Sequence, residues 1–130
     1  MDPEAKQSDA QEQARRAAER RGLEAEARAA SALEARGWRV LARRVRSPRG
    51  ELDLVAEREG LLAFIEVKNR ASLAEAAFSI APRQQARIMG AAELWLAAHP
   101  GHGVSGIRFD VILVAPQGMR RVEDAFRAWG

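Results

Sequence analysis

Two short apolar runs separated by a three-residue turn constrain the fold of this chain more than any other feature. The runs are residues 51–57 (ELDLVAE) and 61–68 (LLAFIEVK), and Arg58-Glu59-Gly60 separates them. Each run has the length and the branched apolar content of a strand, and a short connection that contains Gly is typical of a β-hairpin. The sequence therefore predicts an antiparallel pair of strands near the middle of the chain.

The turn also fixes the register of this predicted hairpin. With a two-residue loop at Glu59-Gly60, Arg58 pairs with Leu61 and the numbers of paired residues add up to 119; a four-residue loop gives the same register. Because side chains alternate between the two faces of a strand, four charged residues then share one face of the sheet. They are Glu51 opposite Lys68, and Asp53 opposite Glu66.

The opposed carboxylates of Asp53 and Glu66 need a cation between them. Residues paired in this way have Cβ atoms about 4.5–5.5 Å apart, and like charges so placed are destabilising. One candidate cation is the ammonium group of Lys68, which Glu51 could hold in place. The other is a divalent ion, since Mg²⁺ prefers one or two carboxylates together with phosphate oxygens. The alternative is that both acids lie on a solvated face and pair with arginines.

A divalent ion at these carboxylates would favour the hydrolysis of a nucleic-acid backbone. The ion could polarise a phosphodiester and activate water, while the ammonium group of Lys68 stabilises developing negative charge or orients the water. A further acid, Glu26, falls on the apolar face of the predicted first helix, where a buried carboxylate needs a partner or a metal. The alternative for Glu26 is an edge position whose carboxylate reaches solvent.

Several arginines are candidates for contact with phosphate near this predicted site. Arg83 and Arg87 lie one turn apart at the start of the helix after Pro82, and the unpaired amides and positive dipole of such an end attract phosphate. Arg70 and the arginines within residues 43–49 could extend a basic rim. The alternative is an ordinary solvated surface on which each arginine pairs with a neighbouring acid.

The predicted elements follow one another as αβββαβ, which gives an α/β domain with a mixed four-stranded sheet flanked by helices. Residues 1–20 read as a flexible or frayed helical extension, and residues 21–130 as a single domain. The elements are a helix over 22–35 that ends at Gly37, a strand over 38–45, the hairpin, a helical zone from Ser72 with Glu75 in a capping box, a helix from Pro82 to about residue 98, and a strand over 107–114 with a short tail.

Composition excludes several classes of function. The chain of 130 residues has no Cys, which excludes disulfides, cysteine zinc sites and thiol nucleophiles and favours the reducing cytoplasm. The N-terminus is polar and no long apolar run occurs, so the sequence predicts neither a membrane span nor a signal peptide. A net charge of +3 with a pI near 10.5 mildly favours a polyanionic partner.

Five stretches of the sequence carry a family resemblance that covers about residues 20–126. They are GLEAEARAASALEARG at 22–37, GELDLVA at 50–56, FIEVKNR at 64–70, APRQQARI at 81–88 and RFDVI at 108–112. In this order and spacing they resemble the YraN-like family, small bacterial proteins of uncharacterised function that are placed by fold in the PD-(D/E)XK endonuclease-like superfamily.

This resemblance implies a restriction-endonuclease-like core with a site for Mg²⁺ or Mn²⁺. It also implies a nuclease that acts on nucleic acid, in the first instance DNA, in the manner of Holliday-junction resolvases or related DNA-processing enzymes. The implied metal ligands are Asp53, Glu66, the carbonyl of Val67 and the first-helix acid Glu26, and Lys68 completes the catalytic set. A Gln in this region orients a backbone oxygen in related nucleases, a role that falls here on Gln85.

The sequence departs from the family pattern at two places. It has Ala25-Glu26 where the family usually has Gly-Glu, and Gln84-Gln85 where the family usually has Lys-Gln, which removes a positive charge near the expected substrate path. Two rival functions stay open. One is a catalytically inactive nucleic-acid-binding or scaffolding module of the same fold, and the other is a protein-interaction role with the Ala-rich N-terminal helix as a homodimer contact.

Overall fold

A computed structural model describes residues 3–73 and 80–127 of the chain. Two helices and five strands make up this part. They are α1 (Pro3–Ala35), β1 (Arg39–Arg46), β2 (Glu51–Arg58), β3 (Leu61–Asn69), α2 (Pro82–Ala98), β4 (Gly106–Ala115) and β5 (Gly118–Phe126). The α/β class is confirmed. The capping box predicted at Ser72 and Glu75 extends outside the described residues.

The strands form one mixed sheet in the order β1-β2-β3-β4-β5. Strands β3 and β4 are parallel and are joined through α2, whereas the other neighbouring strands are antiparallel. The prediction of four strands was wrong by one, because the short tail folds back through Pro116-Gln117 and pairs with β4 as an edge strand. Because this edge strand has only one neighbouring strand, it needs few apolar side chains. Val122 and Phe126 anchor it, and most of its other residues are charged.

Helix α1 is longer than the periodicity of residues 22–35 predicts. It runs without a break over 33 residues, yet its buried side chains begin at Ala25 and continue through Ala29, Ala30 and Leu33. Gly37, with φ of 85°, ends the helix as predicted, because a residue without Cβ adopts this left-handed conformation easily. The division into an extension over 1–20 and a domain over 21–130 stays a prediction.

The predicted register of the central hairpin is confirmed. Arg58 pairs with Leu61, and the pairing continues in step as far as Leu54 and Ile65. Glu59 and Gly60 have φ values of 53° and 80°, which is the backbone that a two-residue type I′ turn requires. The turn therefore sets which residues of β2 and β3 face each other at the far end of the hairpin.

Each face of the sheet buries its own apolar core. Phe64 and Leu62 of β3 pack with Ile88 and Trp95 of α2 on one face. On the other face the alternate residues of β3 pack with the Ala-rich stripe of α1. The sheet is thus covered by one helix on each side, and Glu51, Asp53, Glu66 and Lys68 lie at the end of the hairpin away from its turn.

Two glycines let the β1–β2 turn approach α2 closely. A Cβ built on Gly50 would lie 2.6 Å from the carbonyl oxygen of Arg87, and one built on Gly90 would lie 2.7 Å from the guanidinium of Arg49. Arg49 in turn forms an ion pair of 2.6 Å with Glu93. These contacts hold the beginning of α2 against the end of β2. In the part of the chain that the structure describes, neither helix is long and apolar enough to cross a membrane.

Candidate active site

The structure brings the predicted carboxylate pair together at the open end of the hairpin. Regular pairing of β2 with β3 stops at Leu54, and the next residue, Asp53, uses its Oδ2 atom to accept a hydrogen bond of 2.8 Å from the backbone N–H of Val67. Asp53 and Glu66 are close enough to share a hydrogen bond. Both line one cavity of about 380 Å³ between the sheet and the start of α2.

A break in the alternation of β2 places Asp53 in this way. Leu52 packs in the core on the α2 face, whereas Leu54 packs in the core on the α1 face, although residues two apart in a regular strand share a face. Arg44 of β1, which lies across from Asp53, has a positive φ of 50°. The two strands are therefore irregular together at this point, which frees the Asp53 carboxylate to turn towards β3.

The protonation of the two acids reflects their crowding. Burial, and then the charge of Asp53, raises the pKa of Glu66 to about 7. Burial also raises the pKa of Asp53, against the opposing effect of the hydrogen bond from Val67. The pair therefore carries more negative charge than its surroundings neutralise and retains a proton near neutral pH, as closely spaced carboxylates do.

Lys68 supplies one positive charge to this pair. Its Nζ atom lies 3.2 Å from Oε1 of Glu66, and both side chains are mostly buried. The ion pair expected between Glu51 and Lys68 does not form. Glu51 instead contacts its β1 neighbour Arg46 at 3.5 Å, because the register with β3 no longer continues at this end of β2. Glu51 still lines the cavity.

Glu26 reaches the same region from α1. Only 14% of its side chain is exposed, and its carboxylate lies 3.7 Å from Nε of Arg44. Burial, followed by the charge of Asp53, raises the pKa of Glu26, while Arg44 lowers it. The first-helix acid is therefore within electrostatic reach of Asp53 and mostly buried, but it does not line the cavity.

These acids suit a small divalent ion better than a metal that requires a complete protein cage. Within residues 3–73 and 80–127, no three His, Asp or Glu side chains converge into a ready-made metal cage. Mg²⁺ usually takes one or two carboxylates and completes its shell with water and phosphate oxygens. Two crowded, partly protonated carboxylates such as Asp53 and Glu66 fit that preference, since a divalent ion can replace the retained proton.

The sequence analysis missed Gln84, which contacts both charged partners. Its Nε2 atom donates a hydrogen bond of 2.9 Å to Oε1 of Glu66, and its Oε1 atom accepts one of 3.2 Å from Nζ of Lys68. Gln85, predicted for the site instead, donates its side-chain N–H to the carbonyl of Ile80. One signal could have identified Gln84: it lies four residues before Ile88 and so continues the apolar stripe of α2 onto the sheet.

The predicted basic residues separate into two groups. Arg83 and Arg87 line the cavity, and neither forms an ion pair with any acid in the described ranges. Arg70 lies outside the cavity lining and is exposed, with its NH1 atom bonded to the carbonyl of Asn69. The remaining arginines of the predicted rim are each paired with a glutamate: Arg43 with Glu34, Arg44 with Glu26, Arg46 with Glu51 and Arg49 with Glu93.

Comparison with known proteins gives a consistent family match. The model of a family described as "Uncharacterised protein family UPF0102" matches residues 25–114, a range that contains all the acids of the site, Lys68 and both cavity arginines. A UPF0102 protein from Bradyrhizobium sp. (strain ORS 278) is 58% identical over 105 residues, which cover 81% of this chain and 74% of that protein.

Two other relatives extend the match. A UPF0102 protein from Bradyrhizobium diazoefficiens is 55% identical over 113 residues, which cover 86% of this chain and 85% of the relative. A UPF0102 protein from Granulibacter bethesdensis is 55% identical over 111 residues, which cover 85% of this chain and 70% of that relative. These matches confirm the resemblance to the YraN-like family that the sequence motifs indicate.

Proposed function

This chain belongs to the uncharacterised protein family UPF0102, and we propose that it is a metal-dependent nuclease that hydrolyses phosphodiester bonds in nucleic acid. One observation carries the proposal. The carboxylates of Asp53 and Glu66, the second of which forms an ion pair with Lys68, line a cavity together with two arginines that have no acidic partner among the described residues. A negatively charged substrate and a divalent cation would satisfy both sides at once.

In this proposal Asp53 and Glu66 hold Mg²⁺ or Mn²⁺, the carbonyl of Val67 is a further ligand, and Glu26 supports the site from α1. The bound ion supplies a Lewis acid and lowers the pKa of water. Lys68, already bonded to Glu66, donates a hydrogen bond to the attacking water or to the charge that develops on phosphorus-bound oxygen. The amide hydrogen bond from Val67 keeps one oxygen of Asp53 oriented.

Arg83 and Arg87 bind the phosphates of the substrate next to the scissile bond. They lie in the first turns of α2, where the helix dipole adds to their positive charge, and they form no ion pair with an acid in the described residues. A guanidinium can bind a phosphate through two parallel hydrogen bonds, which orients it as well as attracting it. The substrate would thus be held with one phosphate near the carboxylates.

A first experiment tests the metal site without requiring turnover. Titration calorimetry with Mn²⁺ would compare the wild-type protein with Asp53→Asn and with Asp9→Asn, a control on the exposed part of α1. We expect at least a tenfold weaker affinity in Asp53→Asn and no change in Asp9→Asn. Equal Mn²⁺ affinity in all three proteins would eliminate the proposed site.

A second experiment tests catalysis. Plasmid DNA, branched DNA, single-stranded DNA and RNA would be incubated with the protein, with and without Mn²⁺. We expect Mn²⁺-dependent cleavage of at least one substrate and a loss of about 10²–10³-fold in rate in Lys68→Ala, the usual effect of removing a charge-stabilising donor. Cleavage that persists in Asp53→Asn would show a contaminating nuclease and contradict the proposal.

The second candidate function is a nucleic-acid-binding module without turnover. Arg83 and Arg87, which pair with no acid in the described part of the chain, favour it specifically, because they could bind a phosphate backbone whether or not the carboxylates hold a metal. Binding without cleavage that survives Lys68→Ala would support this function over the nuclease. We propose DNA as the first nucleic acid to test and the cytoplasm as the compartment, which the absence of Cys favours. A homodimer through α1 stays a prediction.

A further inference from the structure

The side-chain amide of Gln84 closes a triangle with the two oppositely charged groups of the site. Oε1 of Glu66 receives hydrogen bonds from both Nε2 of Gln84, at 2.9 Å, and Nζ of Lys68, at 3.2 Å. The same ammonium group donates to Oε1 of Gln84, also at 3.2 Å. Each of the three side chains is therefore held by the other two.

An uncharged amide suits this position better than any charged group. It donates to the carboxylate with its nitrogen and accepts from the ammonium group with its oxygen, whereas Lys can only donate and ionised Glu can only accept. The backbone that carries the amide is also fixed. Gln84 lies between Pro82 at the start of α2 and Arg87, whose carbonyl packs against Gly50 of the β1–β2 turn.

We propose that Gln84 is a positioning residue that holds the ammonium group of Lys68 in a shared contact and so keeps Glu66 available to a divalent cation. This inference rests on the proposed metal site. Without the amide oxygen of Gln84, the ammonium group of Lys68 would contact only Glu66 within this triangle. It would then compete more strongly with the cation for the Glu66 carboxylate. Partners that hydrogen-bond to a ligating carboxylate typically change metal affinity 10–100-fold.

The test replaces the amide with a side chain of similar length and no strong hydrogen bonds. Mn²⁺ affinity would be measured by calorimetry for the wild type, Gln84→Met and Gln85→Met, where Gln85 is the matched control because its amide contacts the carbonyl of Ile80 instead of the site. We expect at least a tenfold loss in Gln84→Met and a change below threefold in Gln85→Met. Thermal unfolding of each variant would show that it is folded.

A double variant separates positioning from a general packing effect. If Gln84 acts by sharing Lys68, removal of the ammonium group should recover the lost affinity, so Lys68→Met and Lys68→Met/Gln84→Met should bind Mn²⁺ within threefold of each other. An undiminished loss in the double variant would overturn the inference, and so would wild-type affinity in Gln84→Met. A wild type that does not bind Mn²⁺ would instead overturn the proposed metal site.

Discussion

Glu66 is the residue at which stability and the proposed function conflict most. Its carboxylate is mostly buried beside a second carboxylate, and its single ammonium partner is shared with Gln84. Charge that is useful for binding a cation is therefore unfavourable while no cation is bound. The conflict predicts a specific dependence of stability on pH in the metal-free protein.

Because the pKa of Glu66 in the folded protein, about 7, exceeds its ordinary value of 4.5, the folded state binds this proton more tightly than the unfolded state. Its contribution to stability is complete below about pH 4.5 and is lost as the pH rises through 7. In EDTA at pH 8, Glu66→Gln should exceed the wild type in free energy of unfolding by on the order of 2 kcal/mol. At pH 4 the gain should nearly disappear, and a gain that is equal at both values would contradict the argument.

Asp110 of β4 is also a buried acid, but hydrogen-bond donors surround its carboxylate and stabilise its negative charge. Its side chain is 0% exposed and accepts hydrogen bonds from Arg108, Arg121 and the backbone N–H of Asp124. Burial alone would raise its pKa, but these three donors outweigh burial and lower it. The charge of Asp110 should therefore stabilise the fold.

We expect Asp110→Asn to lower the free energy of unfolding at pH 7 by about 3–5 kcal/mol, since it leaves two arginine side chains without their buried partner. The stabilisation is present above the unfolded pKa of about 4 and is lost as the pH falls through the lower folded value. Urea unfolding of Asp110→Asn and of Asp9→Asn would measure the difference. A loss below 1 kcal/mol in Asp110→Asn would show that its arginines find other partners.

Sequence reasoning located the charged groups of the site through the turn at Glu59-Gly60, since strand alternation converts a register directly into neighbours. It did not locate the contacts that depend on a break in regularity. The irregular backbone at Asp53 and Arg44 redirects Glu51 to Arg46, and no periodic pattern contains that information. The choice between the adjacent Gln84 and Gln85 depends on the phase of α2, which the spacing from Gln84 to the buried Ile88 indicates.

At the scale of elements, the position of α2 depends on the absence of a side chain at Gly50. A Cβ there would lie 2.6 Å from a backbone oxygen of α2, which cannot rotate away as a flexible side chain could. Gly50→Ala should therefore displace the start of α2 and cost about 1–3 kcal/mol of unfolding free energy, typical of overpacking. The same displacement should weaken Mn²⁺ binding, because Gln84 moves with the helix.

A control of opposite sign comes from Gly22 in α1, where a Cβ meets nothing within 4 Å. Gly22→Ala should raise the unfolding free energy by about 0.5–1 kcal/mol, the usual difference between Gly and Ala inside a helix, and leave Mn²⁺ affinity unchanged. Chemical unfolding of both variants would measure the contrast. Equal stabilisation by the two substitutions would show that the β1–β2 turn is not tightly packed on α2.

The elements differ in how far the sequence predicts them. The two strands of the hairpin, β2 and β3, are rich in apolar residues and bounded by turn residues, and their limits and most of their pairing follow from those signals. The sequence predicts only a short tail where β5 lies, because an edge strand needs few apolar side chains and its pairing with β4 depends on tertiary contact. The first half of α1 has helix-forming residues but no apolar periodicity, so the continuous helix was not predicted.

At the scale of the whole molecule, the distribution of charge matters more than its sum. The net charge of +3 is modest, and the arginines of β1 and its turn are largely neutralised by glutamates. Arg83 and Arg87, by contrast, pair with no acid in the described residues, and they line the same cavity as the acids of the site. Arg83 and Arg87 should dominate phosphate contact, whereas Arg49, paired with Glu93, should contribute little.

This distribution predicts how nucleic-acid affinity depends on salt. Loss of one phosphate contact reduces the slope of log affinity against log salt by about 1, so Arg83→Gln and Arg87→Gln should each lower the slope by about that amount. Arg49→Gln should leave the slope nearly unchanged. Fluorescence anisotropy with a labelled oligonucleotide in Ca²⁺, at several salt concentrations, would give the slopes. Equal slopes in all three variants would place the phosphate contacts elsewhere.

The central claim is that acids from two strands converge on a site for a divalent cation, and crystals soaked in Mn²⁺ test it most directly. Anomalous scattering from Mn²⁺ should show one peak in contact with carboxylate oxygens of both Asp53 and Glu66, at about 2.1 Å, as small hard cations require. A map at saturating Mn²⁺ without that peak, in which Glu66 contacts only Lys68 and Gln84, would contradict the claim.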